Sequence, residues 1–493
     1  MLHSFWYEAA ERVFKAVASE DPDCAMAYWG IAMSRFHPLW EYPSPADLGA
    51  ARDALDRAAA VHSTSERERA YIGAIQRFYS DADRVDHRER ALAYEEAMRE
   101  LRARHPDDSE AAVFYALALL GTAASSPPDP AFTRQREAAT VLEGLLASQP
   151  QHPGVAHYLI HASDYPLLAE RGLEAARHYA AIAPDAPHAL HMPSHIFTQL
   201  GLWEESIASN REASAAAREV GWTGEELHAT DYLVYAYLQR AQDGTAAEIV
   251  ETLPERAESL SSDDSNYAAG LYAVAAIPAR HALERRQWAK AAALEVPYDV
   301  LLGESWCWAE TPLHVARGLG AVHTGDLEGA RRSIERLRGC REFLLATEDG
   351  GATVPVPLWA NRLEAQRQGL AAWLALAEGK DGEALALMRS AADLEDAGDK
   401  PPIIPGYVAP ARELLGEMLP ELGHPARALA EFQQALEASP NRFRSLHGAA
   451  RAADLAGDLE GARLRYAKLL DVSQATDTER PELDQAHRRA AIP

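Results

Sequence analysis

The feature that most constrains this chain is a unit of two apolar-periodic segments and two turns, written most clearly in "ARELLGEMLPELGHPARALAEFQQALEASPNR". Its first half carries Leu415 and Gly416 mid-segment, Gly423 and Pro425 mark a turn, its second half carries Ala428, Phe432 and Ala435, and Pro440 ends it. Small residues let two helices approach closely, an aromatic fills the wedge between units, and proline cannot continue a helix. The next stretch, "FRSLHGAARAADLAGDLEGARLRYAKLLD", repeats the scheme with Gly457, Ala462 and Tyr466. At the other end Ala10, Phe14 and Pro22 form the back half of one unit, and Trp29 and Gly30 the front half of another. Further back halves stand at Gly201, Trp203, Ala208 and Ala213, and at Gly325, Ala330 and Ile334. Units of this kind bury their apolar faces on their neighbours rather than in one central core.

Length and composition agree. At 493 residues the chain exceeds the roughly 250–300 residues that a single core supports. It is rich in Ala, Leu, Glu and Arg, all good helix formers, and lacks runs of Val, Ile and Thr at period two, so helices are expected and strands are not. The net charge of −26 argues against a nucleic-acid partner and against anionic membrane surfaces, both of which reward clustered Lys and Arg. No apolar run of about 20 residues occurs, so no membrane span is expected. A cytoplasmic location follows; because "MLHSFWYEAAERVF" begins mid-pattern, an upstream segment, with or without an export signal, stays open. Cys24, Cys307 and Cys340 include no CxxC pair and make no disulfide framework, which suits a reducing compartment or indifference to redox.

The repeating units resemble the tetratricopeptide repeat, over nearly the whole chain, with degenerate stretches at 40–140 and 340–400. The segments "LHSFWYEAAERVF", "DPDCAMAYWGIAMS", "HPGVAHYLIHASD", "PHALHMPSHIF" and "HATDYLVYAYLQ" further resemble a bacterial group of tetratricopeptide-repeat proteins. The resemblance implies an all-α solenoid, a right-handed superhelix of antiparallel hairpins whose first helices line a concave groove. About nine or ten hairpins are expected. They divide into N-terminal hairpins, the first of them incomplete (1–150), central hairpins with a histidine-rich concave site (151–340) and C-terminal hairpins (341–493). Proline-rich insertions, "HPLWEYPSPADLG", "SSPPDPAF", "DGGATVPVPLW" and "GDKPPIIPGYVAP", read as stiffened loops that could cover the groove as lids. Repeats of this family that bind peptides present Lys, Arg and Asn in the groove; here the corresponding helices present His, Asp and Tyr. The resemblance implies no activity.

Seven of the 19 histidines fall between His152 and His195, where an even spread would put about two. His157, His161 and Asp164 stand at i, i+4 and i+7, one face of a helix. His188, His191 and His195 stand at i, i+3 and i+7, again one face, with Pro193 placing the first of them in a turn ahead of the helix. If both segments are first helices, packed about 8–10 Å apart, their imidazoles converge. Neutral imidazole is the commonest protein ligand for zinc, copper and iron. The spacing is neither a zinc finger nor H-E-x-x-H, since Tyr158 stands where the glutamate would be. In a third neighbouring helix His228 and Asp231 stand at i, i+3, followed by Tyr232 and Tyr235; beyond them Glu310 and His314 stand at i, i+4. These are further ligands or groups that orient the imidazoles. The expected metal set is therefore His157, His161, His191, His195, His188, Asp164, His228 and Asp231, around one or two ions of Cu, Fe or Zn.

Against this stands a structural role. His105, His152 and His178 read as residues that cap helices, bond carbonyls or sit wet on the surface, with His105 and His152 starting helices ahead of proline, and His3, His37, Trp6 and Trp40 as packing in the first hairpins. Asp164 and Asp231 could balance clustered imidazolium charge without a metal. Arg280 and His281 could meet an anion in the groove, though a solvated helix end explains them as well. No Ser/His/Asp arrangement and no glycine-rich phosphate loop is legible. Two functions stay open. One is a metalloprotein, with oxidative or hydrolytic chemistry on a small molecule in the groove. The other is a metal-free scaffold that binds a protein segment there.

Overall fold

The computed structural model describes residues 1–39, 42–264, 266–295, 306–347, 356–398, 400 and 403–490. Trp40 and parts of three of the proline-rich insertions lie outside them. Among the described residues there is no strand, and the fold is an all-α solenoid of paired helices. By packing the chain forms two compact units, one over Met1–Ile196, the other over Phe197–Glu348 and Val356–Pro493. That boundary runs through the 151–340 segment that the sequence groups as one.

The first unit opens with a 3-10 turn at Leu2–Ser4, followed by α1 (Tyr7–Glu20), α2 (Ala25–Met33), α3 (Pro45–Ala60) and α4 (Glu66–Tyr79). It continues with α5 (His87–Arg104), α6 (Ser109–Ala124), α7 (Thr133–Leu146), α8 (Pro153–Ser163), α9 (Ala169–Ile182), α10 (Pro187–His191) and the start of α11 (Pro193–Gln199). Ser44 and Ser65 cap α3 and α4 in reciprocal capping boxes with Asp47 and Glu68.

The second unit holds α12 (Trp203–Glu219), α13 (Thr223–Gln239), α14 (Asp243–Ala257), α15 (Tyr267–Glu284), α16 (Trp288–Ala292), α17 (Thr311–Thr324) and α18 (Leu327–Ala346). After them come α19 (Val356–Ala377), α20 (Asp381–Asp396), α21 (Ala411–Glu421), α22 (Pro425–Ala438), α23 (Phe443–Leu455), α24 (Leu459–Val472) and α25 (Pro481–Ala490). Within both units most helices pack on the next in the chain, so the short connections make antiparallel hairpins.

The small-residue and aromatic code acts as its chemistry suggests. A Cβ on Gly416 would come within 2.8 Å of the Phe432 ring, and one on Gly448 within 2.3 Å. Phe432 therefore wedges between the first helix of its own hairpin and the first helix of the next. Phe14 fills the same place against Gly30, at 2.3 Å.

Helices held between neighbours on both sides are buried all round. Every residue of α8 from Gly154 to Ser163 is buried, as are nearly all of α13 and α15. Polar groups inside such helices need partners from other helices, because burial without one is costly. No helix among the described residues is long and apolar enough to cross a membrane.

One expectation is corrected. Cys307, just before α17, and Cys340 of α18 are joined by a disulfide, with Cα atoms 5.6 Å apart; Cys24 is free. The two are 33 positions apart and carry no short-spacing signature, so only the packing of α18 beside the preceding segment brings them together. The inference of a reducing compartment rested on unpaired cysteines and loses that basis.

Candidate metal centre

α8 presents His157 and His161 one turn apart. The following α10 carries His188 and His191. Pro193 has no N–H to continue the ladder, so the helix is interrupted at Met192 and α11 restarts with His195 in its first turn. His188 thus lies inside a helix rather than in the turn expected ahead of it. The interruption sorts the three histidines: His188 joins α8, and His191 faces His195.

The resulting cluster is buried throughout. One ligating nitrogen from each of His157, His161 and His188 lies within 4.8 Å of the other two, an arrangement that could hold a metal ion. His157 Nε2 and His161 Nε2 are 3.0 Å apart, and His191 Nε2 and His195 Nε2 are also 3.0 Å apart. The His161 and His195 rings, with centroids 6.4 Å apart, connect the two pairs.

In each pair one ring has its tautomer set by an oxygen behind it. The His157 Nδ1–H donates to the backbone carbonyl of His3 at 2.6 Å. The His195 Nδ1–H donates to Asp164 Oδ2 at 2.8 Å. A neutral imidazole has one N–H and one lone pair, so both rings aim an Nε2 lone pair at the partner histidine. Burial, helped by the neighbouring imidazoles of His161 and His188, holds His157 well below the usual imidazole range, and the His3 carbonyl offsets this only in part. Two imidazoles bound to one tetrahedral zinc at about 2.0–2.1 Å stand about 3.3 Å apart, close to the separation seen.

A second grouping, His3, Glu110 and His152, is built the other way round. His152 Nδ1 accepts from the backbone N–H of Gly154 and Val155 at 3.1 and 3.3 Å, capping α8, so its proton sits on Nε2 and goes to Glu110 Oε1 at 2.8 Å. His3 Nε2 reaches Glu110 Oε2 at 3.1 Å, while its Nδ1 meets the Tyr158 hydroxyl at 3.1 Å. Burial would raise Glu110, but the hydrogen bonds from His152 and His3 reverse this and hold it far below the usual carboxylate range. Proton-bearing nitrogens point inward here, which suits a carboxylate bridging two imidazoles better than a cation.

Asp164 and Asp231 have partners of their own. Asp164 caps the end of α8 and orients His195. Asp231, expected as a ligand, is instead answered by Arg280, whose Nε and Nη2 donate to its two oxygens at 2.7 and 3.1 Å. His228 belongs to the second unit, buried on α13 with its ring edge-on to Tyr232 at 5.4 Å. Glu310 and His314 face each other across 3.4 Å in the same unit. His152 caps a helix start as expected, whereas His105 ends α5 rather than starting a helix, and His178 bonds its own helix at Glu174 O.

Sequence reasoning passed over two contributors from the N-terminal turn. The His3 carbonyl sets His157, and the Phe5 ring lies 4.5, 5.6 and 5.9 Å from His157, His161 and His188. Phe5 holds a left-handed backbone, φ 54°, to do so, a conformation that a bulky residue adopts only when its surroundings enforce it. The signal available was the motif "HSFWYE" itself, dense in aromatics before the first long helix.

No family model matches the chain, and no curated protein matches it. Among solved structures, a human IFIT1 dimer with m7Gppp-AAAA aligns over 99% of this chain and 95% of its own, at 12% identity and a TM-score of 0.36.

Proposed function

We propose that the first unit is a metal-binding module. His157, His161 and His188 hold a transition-metal ion, and the adjoining His191–His195 pair forms the seat of a second. The observation that supports this reading is the repeated arrangement in which Nδ1–H is tied to an oxygen and Nε2 faces another imidazole, the pattern by which proteins fix histidine ligands. Cu, Fe and Zn all accept such a nitrogen set. In the proposal Asp164 supports His195 and is not itself a ligand. Three imidazoles leave one tetrahedral position for water or a substrate atom, which would permit hydrolytic or oxidative chemistry once the Phe5 ring moves aside.

The competing reading is a metal-free scaffold, in which both 3.0 Å contacts are N–H···N hydrogen bonds inside a packed core. Elemental analysis of the chain, purified without a histidine tag, separates the two. The metal reading expects about one to two equivalents of Cu, Fe or Zn per chain, falling below about 0.2 in a His157→Gln/His161→Gln/His195→Gln variant that keeps its helical circular dichroism. Wild-type protein that stays below about 0.2 equivalents after incubation with each metal overturns it and leaves the scaffold.

A further inference from the structure

The second unit holds a buried cluster of the opposite character. Arg280 of α15 and Arg362 of α19 are 1% and 4% exposed. Arg280 is paired with Asp231, through Nε and Nη2. Arg362 has no such carboxylate among the described residues; its Nη2 donates to the Tyr272 hydroxyl at 2.7 Å, and its guanidinium lies over the rings of Tyr407, Trp359 and Tyr272 at 4.7, 5.1 and 5.4 Å. Both guanidiniums act electrostatically on Asp231 and on Tyr272, so they share one neighbourhood. Trp308 packs on Trp359 with ring centroids 4.4 Å apart.

Four donors of this cluster lack an acceptor among the described residues: Nε and Nη1 of Arg362, Nη1 of Arg280 and Nε1 of Trp308 are buried and meet none. All four are N–H groups. The nearby carboxylates have their own partners: Asp231 has Arg280, Glu413 has Arg442 and Ser445, and Glu284 has Arg442 through Oε1, its Oε2 meeting no donor among the described residues. The further carboxyl that acts on Arg362 is Glu395, which burial pushes up to about 8, so that it is largely neutral at pH 7; it accepts from the Ala411 N–H at 2.8 Å. Arg362 therefore carries a buried positive charge that no carboxylate among the described residues contacts, an arrangement that is costly unless an anion answers it.

We propose that this aromatic-walled cluster binds the oxyanion of a small acidic molecule, a carboxylate or a phosphate, with Arg362 as its anchor and Arg280 as the second donor. A guanidinium fork offers parallel N–H groups that match two oxygens of either anion. The Trp359, Tyr272 and Tyr407 rings hold the Arg362 plane in place. The net charge of −26 disfavours a polyanion, so the ligand is small. The site lies in a different unit and uses different residues from the metal centre, and neither proposal depends on the other.

The test uses the full chain, stripped of metal and dialysed. Its thermal unfolding is followed while sodium phosphate or sodium succinate is titrated, each against sodium chloride of equal ionic strength. The expected result is a saturable rise in Tm of about 3–8 °C with at least one of the two, and at least a ten-fold weaker response in Arg362→Met. A response to phosphate alone assigns a phosphate ligand, and a response to succinate alone assigns a carboxylate. Should Arg362→Met fail to fold, equilibrium dialysis of wild-type protein with radiolabelled phosphate and succinate decides, with about one equivalent expected. No saturable binding of either anion above the chloride control, or an unchanged response in a folded Arg362→Met, overturns the proposal and leaves water to satisfy these donors.

Discussion

In the first unit the polar groups inside the buried helices are imidazoles, and in each close pair one ring gives its Nδ1 proton to an oxygen and aims its Nε2 lone pair at the partner ring across 3.0 Å. In the second they are guanidiniums, whose nitrogens can only donate and several of whose N–H groups meet no oxygen among the described residues. Helices of one kind, buried on every side, thus aim imidazole nitrogens at one another in one unit and leave arginine donors unanswered in the other. The first arrangement suits a cation and the second an anion. The difference also sets what each unit risks. A neutral imidazole that loses its partner leaves a dipole unmet, whereas a guanidinium that loses its carboxylate leaves a bare charge in a medium of low polarity.

The sharpest break in this comparison is therefore expected at the ion pair. Asp231→Ala should lower stability by about 3–5 kcal/mol, read from the shift in urea midpoint at constant slope. In metal-free protein His161→Gln should lower it by only about 1 kcal/mol. Equal losses would mean that the Arg280–Asp231 pair is wetter than its 1% exposure indicates.

The next effect concerns orientation. Asp164→Asn keeps an acceptor for His195 Nδ1–H and removes the charge. Metal affinity, measured by competition with a chromophoric chelator, should fall by about 10–100-fold while the helical content stays the same. Unchanged affinity would place Asp164 outside the metal's influence.

The smallest effect is a pH dependence with a definite sign. His157 is held well below its unfolded value of about 6.5, so the fold binds the neutral ring. Its contribution is complete above pH 6.5 and is lost as pH falls below it, by at most about 1.4 kcal/mol per pH unit. His447, pushed down to about 4 by burial and by Arg444, adds to the loss in the same direction between pH 6.5 and 4. Urea midpoints of metal-free protein at pH 6.5 and 5.5 should therefore differ, and His157→Gln should flatten part of that slope. The guanidiniums keep their charge throughout this range, so anion binding in the second unit should outlast metal binding in the first.

Much of the scaffold was legible residue by residue because its code is local. Gly416, Phe432 and Pro440 announce a hairpin through size and backbone chemistry alone, and Phe432 does sit against Gly416 and Gly448. The i, i+4 spacing of His157 and His161 needed nothing beyond helical geometry. The disulfide, the pairing of Asp231 with Arg280 and the gathering of Arg362 with Tyr272 were not legible, since each joins residues from 33 to 90 positions apart.

By itself, then, the sequence determined that this chain is helical, that its helices come in stacked pairs, and that two of its segments carry histidines on one face. Those properties follow from propensity, periodicity and turn chemistry, which act over a few residues. Only the tertiary structure decided which nitrogen of each ring faces which neighbour, that a carbonyl 154 positions away fixes His157, and that Asp231 is paired with Arg280. Lone pairs, protons and charges are allotted by whatever atoms lie within about 3 Å, and in a stack of hairpins those atoms come from distant parts of the chain.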